Sequence, residues 1–293
     1  MKAVILAAGY GTRLQRDVEN DTTGKFQHLI GTPKPLLPVG NCALISHWVN
    51  AFNTNGCVDA IFIVTNQLYH KIFEEWARPF PNVRVLSDGT QSNEERLGAV
   101  ACLQLTVKHF QIEDNVIVIG GDTLFKEDFS LSRFTNEFFH RTAKCDDSNL
   151  VLSYHCKDEE TLKYGILEVN KDLRVHCLKE KPHPSETTSR RACPCFYLFS
   201  KKSIPLLDEF LHEKKDSSIE EKDAPGNFLS WLIPRKAVYI HEVSGRFDVP
   251  GGDSPQFHGQ LLDQAAQASS VEADAVSGVP SQLLVCPDDS YIT

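Results

Sequence analysis

Continuous apolar segments recur in the first half of the chain, at Lys2–Ala7, Ala60–Thr65 and Val116–Ile119, with a shorter one at Val83–Leu86. Strands without polar alternation are typical of a parallel sheet that is covered by helices on both faces. Such a sheet binds ligands in the crevice beyond the carboxyl ends of its strands. The pattern therefore predicts an α/β fold, a Rossmann-like, mostly parallel sheet with helices on both faces.

Segments with helical spacing of apolar residues lie between these strands. We predict helices at Ala43–Asn55, Tyr69–Arg78 and Glu94–Phe110. The Asn55-Gly56 pair and Pro79 end the first two, because Gly and Pro stop helices.

The second half of the chain has a more β-like pattern. Strands are predicted at Leu150–His155, Gly165–Asn170, Arg174–Lys179, Phe196–Phe199 and Ala237–Glu242. Helices are predicted at Lys202–His212 and, after a Pro225-Gly226 turn, at Phe228–Ile233. We expect these elements to extend the same sheet and to add a small mixed β subdomain. Residues 251–293 are expected to form a short helix, Gln256–Ala268, and a flexible C-terminal tail.

Composition excludes several classes of function. The formal net charge of −9 argues against a broad nucleic-acid-binding surface, so we expect no nucleic acid partner. The apolar segments fall short of the roughly 20 residues that span a bilayer, and Ala3–Ala8 is too short for a secretion signal. The nine cysteines include no Cys-x-x-Cys pair, which argues against a zinc site and for reduced thiols. We expect a cytoplasmic protein without a membrane partner.

A Gly-rich segment follows the first predicted strand and runs Leu-Ala-Ala-Gly-Tyr-Gly-Thr-Arg-Leu over residues 6–14. Gly9 and Gly11 allow backbone N–H groups to approach a phosphate closely, and Arg13 adds a cation. The segment lacks the third Gly of a dinucleotide-binding loop and the Gly-Lys-Ser/Thr of a P-loop. By itself it fits either a phosphate-binding loop or a plain tight turn.

Together with Lys34-Pro35-Leu36-Leu37-Pro38-Val39, this segment resembles the signature of sugar-1-phosphate nucleotidyltransferases. The resemblance continues in the expected order through Leu97-Gly98-Ala99, Gly120-Gly121-Asp122, Tyr164-Gly165, Glu180-Lys181-Pro182 and Phe247-Asp248. It implies a nucleotidyltransferase domain over residues 1–250, with a nucleotide-binding half of about 1–125 and a sugar-binding half of about 126–250.

The resemblance also implies the chemistry. The phosphate oxygen of a sugar 1-phosphate attacks the α-phosphorus of a nucleoside triphosphate, with Mg²⁺ as cofactor, and pyrophosphate leaves. Both partners are anions, so catalysis requires charge neutralisation and in-line positioning rather than a protein nucleophile. Assembly into a homo-oligomer is left open.

Residue roles follow from the same resemblance. Nucleotide-binding positions are Ala8, Gly9, Gly11, Thr12, Arg13, Asn93 and Gly98, and the catalytic cations are Arg13, Lys34 and Lys181. Asp122 and Asp248 would hold Mg²⁺, which prefers oxygen ligands. Sugar-binding positions are Gly165, Glu180 and Lys181. Plain alternatives stay open: Lys34 as a solvated loop residue, Asp122 as a cap after two glycines, and Glu180-Lys181 as a surface charge pair.

Base recognition is implied for Asn93, with Gly98 lying under the base. An amide matches the edge of uracil or thymine, which presents an N–H between two carbonyls. The sequence therefore favours UTP or dTTP over GTP.

The chain departs from the family pattern at Cys193-Pro194-Cys195, on a predicted wall of the sugar pocket, and at Val249-Pro250-Gly251-Gly252, after the second metal aspartate. Two alternatives remain beside the enzyme. One is a non-catalytic sensor or regulatory subunit that binds sugar nucleotides, although such proteins usually lose the metal aspartates or the loop arginine. The other is a cytidylyltransferase that acts on a small phosphate such as phosphocholine.

Overall fold

The computed structural model describes residues 1–22, 24, 26–125 and 129–247. The described residues form two compact units, one of Met1–Gly9 with Gly56–Phe247 and one within Tyr10–Asn55. Asp248, the predicted helix Gln256–Ala268 and the predicted tail lie outside the described residues.

Strands and helices alternate along the chain. The strands are β1 (Lys2–Ala7), β2 (Pro38–Val39), β3 (Cys42–Ala43), β4 (Ala60–Thr65), β5 (Val83–Ser87), β6 (Val116–Gly120), β7 (Leu124–Phe125), β8 (Asn149–His155), β9 (Gly165–Val169), β10 (Val175–Glu180), β11 (Arg191–Cys193), β12 (Phe196–Phe199), β13 (Val238–Val243) and β14 (Arg246–Phe247). The helices are α1 (Thr12–Glu19), α2 (Leu44–Asn55), α3 (His70–Ala77), α4 (Ala99–His109), α5 (Leu131–Lys144), α6 (Leu206–Glu213), α7 (Glu220–Asp223) and α8 (Pro225–Leu232).

The larger unit is built on one large sheet. Its strands β5, β4, β1 and β6 are parallel neighbours in that order, with Lys2 beside Ala60 on one side and beside Val116 on the other. The central strands are almost wholly buried, as continuous apolar segments require. The predicted α/β class with a parallel central sheet is confirmed.

The second half of the chain extends the same sheet. Strand β12 runs antiparallel to both β6 and β8. Strand β11 pairs in antiparallel fashion with β8 and β9, and β10 lies next to β9 at the end of the sheet. Strand β13 pairs in parallel with β8. A break between Cys193 and Phe196 separates β11 from β12, and there the Phe196 N–H donates to the Pro194 carbonyl over 2.7 Å. Pro194, which has no N–H to donate to a ladder, lies at this interruption.

Helices α4, α6 and α8 cover one face of the sheet. Phe228 of α8 packs edge-on against both Phe199 of β12 and Phe210 of α6, with ring centroids 5.4 and 5.6 Å apart. All three rings are fully buried. Burial of each such side chain stabilises the fold by roughly 1.5–3 kcal/mol.

The smaller unit has a core of its own. Its buried residues are Leu14, Val18, Leu29 and Leu37, with Phe26 packed against them. The Gln15 side chain donates to the Thr32 carbonyl and accepts from the Gly31 N–H, both over 2.8 Å. These bonds fix the loop that leads to Lys34.

Three predicted helices differ from those observed. The helix predicted at Lys202–His212 begins instead at Leu206, because Pro205 disfavours a helical conformation in the residue before it. The helix predicted at Glu94–Phe110 begins instead at Ala99, because Gly98 has φ 90° and ψ 153°, which no helix contains. The predicted Pro225-Gly226 turn is the start of α8, since proline is well tolerated in the first turn of a helix. Helices α1, α5 and α7 are absent from the predicted elements.

Candidate functional site

The loop after β1 and the turn after β6 leave the sheet together. The Gly121 N–H donates to the Leu6 carbonyl over 2.9 Å, and the Asn66 side chain donates to the Ala8 carbonyl over 3.1 Å. Ala8 and Gly9 therefore lie at the carboxyl edge of the sheet, beside the Gly120-Gly121-Asp122 turn. This is the edge at which parallel sheets bind ligands.

Asp122 is exposed at this edge. A Cβ added to Gly120 would lie 3.2 Å from Thr123 Oγ1, 3.3 Å from Cys195 Cβ and 3.4 Å from Asp122 Oδ1. Glycine at position 120 thus leaves room for the tight turn and for the Asp122 carboxylate, which lies close to the end of β6.

Glu180, Gly165 and Cys193 occupy one register line across β10, β9 and β11. Directly opposite residues share one face of a sheet. Because Gly165 has no side chain, the Glu180 carboxylate can lean across it, and Oε2 lies 3.0 Å from the position of a Gly165 Cβ. The predicted sugar-binding residues Gly165 and Glu180 are thus brought together.

The Glu180 carboxylate is partly dehydrated although the residue as a whole is exposed. Loss of water around this carboxylate raises the pKa of Glu180, and the adjacent Lys181 charge opposes the rise. A dehydrated acceptor group of this kind is suited to hydroxyl donors from a ligand.

Lys181 has an unusual backbone. Its φ is 48°, in the left-handed region that non-glycine residues rarely adopt, and its N–H donates to the Tyr164 carbonyl over 3.1 Å. Such a conformation costs on the order of 1 kcal/mol and is frequent at functional sites. It ends the alternation of β10 just after Glu180.

Cys193 and Cys195 flank the strand interruption and remain thiols at neutral pH. Burial, followed by the charge of Asp122, raises the pKa of Cys195 to about 12. Burial also raises the pKa of Cys193, and Cys195 and Glu180 add to the rise. The departure at Cys193-Pro194-Cys195 therefore supplies uncharged, nonpolar walls near Asp122 and Glu180.

Gly98 packs closely against Asp223, a contact that the sequence did not indicate. A Cβ at Gly98 would lie 2.9 Å from the Asp223 Cα, while the Asp223 carboxylate accepts from the Ala99 N–H over 2.8 Å. Asn93 begins a short 3₁₀ helix, and its carbonyl accepts from the Arg96 guanidinium over 3.2 Å. Asp223 thus packs against the segment that joins Asn93 to Gly98.

The remaining predicted nucleotide-binding residues belong to the smaller unit. Gly11 has φ 60° and precedes α1, so Thr12 and Arg13 are the first two helical residues rather than parts of a loop. Both are exposed. Lys34, which lies between Pro33 and Pro35, is the first residue of a short 3₁₀ helix, Lys34–Leu36.

Sequence reasoning missed Asp223 and Gly226. A Cβ at Gly226 would lie 2.5 Å from Glu180 Oε2. Neither residue lies in a recognisable motif, and both act through contacts with distant parts of the chain. Within the described ranges, no group of three or more His, Cys, Asp or Glu residues forms a metal cluster, and Asp248 is outside them.

No helix in the described part of the chain is long and apolar enough to cross a membrane.

Comparison with known proteins matches residues 2–230 to the model of the nucleotidyl transferase family. A mannose-1-phosphate guanyltransferase of Pichia angusta is 25% identical over 252 residues, which are 86% of this chain and 59% of that protein. The bifunctional protein GlmU of Methanococcus maripaludis strain C5 is 26% identical over 245 residues, 84% of this chain and 50% of its own. This chain thus spans about half the length of the curated relatives it matches.

A solved structure shows the same fold. UDP-glucose pyrophosphorylase in complex with UDP-glucose aligns with a TM-score of 0.65 and 17% identity, over 92% of this chain and 98% of that chain.

Proposed function

The chain belongs to the nucleotidyl transferase family, and from that premise we propose that it couples a nucleoside triphosphate to a sugar 1-phosphate and releases pyrophosphate. The observation that carries the proposal is the Gly121–Leu6 hydrogen bond of 2.9 Å, which joins the Gly-rich loop to the Gly-Gly-Asp turn. A triphosphate on that loop would have Asp122 beside it.

The phosphates are assigned to the loop and to cations. Backbone N–H groups of Ala8, Gly9 and Gly11 would approach them, and Arg13 and Lys34 would neutralise their charge. The Arg13 side chain makes no hydrogen bond or ion pair with the described residues, which leaves its guanidinium available.

Mg²⁺ is assigned to Asp122 and Asp248. What supports this pair is the antiparallel pairing of β14 with β7, in which Phe247 lies opposite Leu124. Phe247, the residue before Asp248, is thus paired with Leu124, which lies two residues after Asp122. Carboxylate oxygens suit Mg²⁺, which would polarise the α-phosphate and shield its charge.

The sugar 1-phosphate is assigned to Gly165, Glu180 and Lys181. Glu180 would accept hydrogen bonds from sugar hydroxyls, Gly165 would let the sugar approach the backbone, and Lys181 would hold the phosphate. The attacking phosphate oxygen is then positioned in line with the leaving pyrophosphate, and positioning supplies most of the catalysis.

For the base we propose a preference for UTP or dTTP, read by the Asn93 amide. The relatives themselves differ in nucleotide: one is a guanyltransferase, and another is solved with UDP-glucose.

The test is a pyrophosphate-release screen of the purified chain with five nucleoside triphosphates, a panel of sugar 1-phosphates and Mg²⁺. Turnover of a sugar 1-phosphate is the expected result, and phosphocholine with CTP serves as the competing substrate pair. Tight binding of a sugar nucleotide without turnover in either direction would overturn the proposal in favour of a sensor.

A further inference from the structure

Two glycines from different elements confine the Glu180 carboxylate. Gly165 at the start of β9 lies on one side, with Oε2 3.0 Å from the position its Cβ would take. Gly226 in the first turn of α8 lies on another, and its Cβ would approach the same oxygen to 2.5 Å. Real Cβ atoms do not come this close to oxygen, so any side chain at position 226 would displace the carboxylate.

Among the described residues, the Glu180 carboxylate accepts no hydrogen bond and forms no ion pair, although Lys181 is adjacent. Leu178, two residues earlier on the same face of β10, and buried Cys193 offer no strong donor. The position of this acceptor is therefore set by the shape of the slot between Gly165 and Gly226.

We propose that Gly226 is a positioning residue for the sugar 1-phosphate. Because it has no side chain, it leaves room for the Glu180 carboxylate at the position where sugar hydroxyls would bind. The inference rests on the proposed function and names a residue that acts through Glu180 rather than on the substrate. A side chain at position 226 would push the carboxylate away from α8, because its Cβ would lie only 2.5 Å from Glu180 Oε2.

The test is Gly226→Ala, measured with the substrate pair that the screen identifies. We expect the KM for the sugar 1-phosphate to rise roughly tenfold, about the effect of one misplaced hydrogen bond to a charged group. The KM for the triphosphate stays unchanged and the melting temperature does not fall, since alanine favours helices over glycine.

The matched control is the same substitution in a Glu180→Ala background. If Gly226 acts through Glu180, Gly226→Ala has no further effect there. An equal loss in both backgrounds, an unchanged KM in the single variant, or a fall in melting temperature would overturn the proposal.

A second readout does not require turnover. The ¹³C carboxyl signal of Glu180, assigned by its loss in Glu180→Gln, should titrate above the ordinary glutamate range in the wild type and closer to it in Gly226→Ala. If the screen finds no substrate but this shift occurs, the slot stands while the proposed function fails. An identical titration in both proteins would overturn the slot itself.

Discussion

The carboxylate of Asp223 accepts a hydrogen bond from the Ala99 N–H over 2.8 Å, across 124 positions of sequence. Ala99 is the first residue of α4, whose first-turn N–H groups have no partner within the helix. Asp223 therefore caps α4 from another part of the chain. Its backbone also closes over Gly98 and leaves no room for a side chain there.

Gly98→Ala should destabilise the protein by about 2 kcal/mol or more. Alanine at φ 90° costs roughly 1–3 kcal/mol, and its Cβ would also meet the Asp223 backbone at 2.9 Å. Urea unfolding measures the loss. Gly89→Ala is the matched control, because Gly89 also has positive φ, 82°, but nothing within 4 Å of its Cβ position. Equal losses in both variants would contradict the role assigned to Asp223.

This contact also explains why the start of α4 could not be predicted from the sequence, although several strands could. Strands β1, β4 and β12 are predicted to the residue, because a continuous apolar segment and its polar ends are local properties of the sequence. The start of α4 is not, because it is decided by the conformation of Gly98 and by Asp223. Helical spacing alone extends the predicted helix through Gly98.

The candidate site divides in the same way. Motifs pointed to Gly165 and Glu180, and the register of β9 and β10 brings them together. Gly226 belongs to no motif, and its importance depends on the packing of α8 against β10. Helix α5 is a different case, since Leu131, Phe134 and Phe138 have helical spacing and are buried, so the pattern that specifies this helix is local.

Asp122→Asn should leave the fold intact and lower turnover by a factor on the order of a hundred or more. An amide is a weaker ligand for Mg²⁺ and a poorer stabiliser of transition-state charge. Steady-state pyrophosphate release measures the loss, with circular dichroism as the check on folding. Asp172→Asn, the same change at an exposed turn, should keep full activity. Near-normal turnover by a folded Asp122→Asn protein would remove Asp122 from the site.

Glu137 links α5 to β13, and its contribution to stability should depend on pH. Burial alone would raise the pKa of Glu137, but hydrogen bonds from His241, at 2.6 Å, and Arg141, at 3.1 Å, outweigh it and lower the pKa. A carboxyl with a depressed folded-state pKa stabilises the fold above its unfolded pKa and loses this effect as pH falls through the folded value.

Glu137→Gln should therefore lower the free energy of unfolding by about 1.5–3 kcal/mol at pH 7, the range for hydrogen bonds to a charged group. The difference from the wild type should shrink as pH falls below the ordinary glutamate pKa of about 4.3. Urea unfolding from pH 7 to pH 3 measures it. Glu209→Gln, at an exposed position of α6, should show little difference at any pH. A pH-independent loss at position 137 would show that packing, not ionisation, is responsible.

The base preference should depend on Asn93. Its amide offers one acceptor and two donors on a short side chain, which matches the N–H and carbonyl edge of uracil and thymine. Guanine presents a different order of donors and is larger. We therefore expect the wild type to favour UTP or dTTP over GTP in kcat/KM.

Asn93→Ala should reduce this preference roughly ten- to a hundredfold while the reaction persists, because lost buried hydrogen bonds cost about 1–3 kcal/mol. Competing triphosphates in one reaction give the ratio directly. Asn227→Ala is the control: it removes an amide that donates to the Glu220 carbonyl over 2.8 Å, so it should leave the ratio unchanged. A clear GTP preference in the wild type, or equal use of all triphosphates, would refute the role of Asn93 in reading the base. It would not touch the reaction class, since Asn93 is assigned to the base and not to the reacting phosphates.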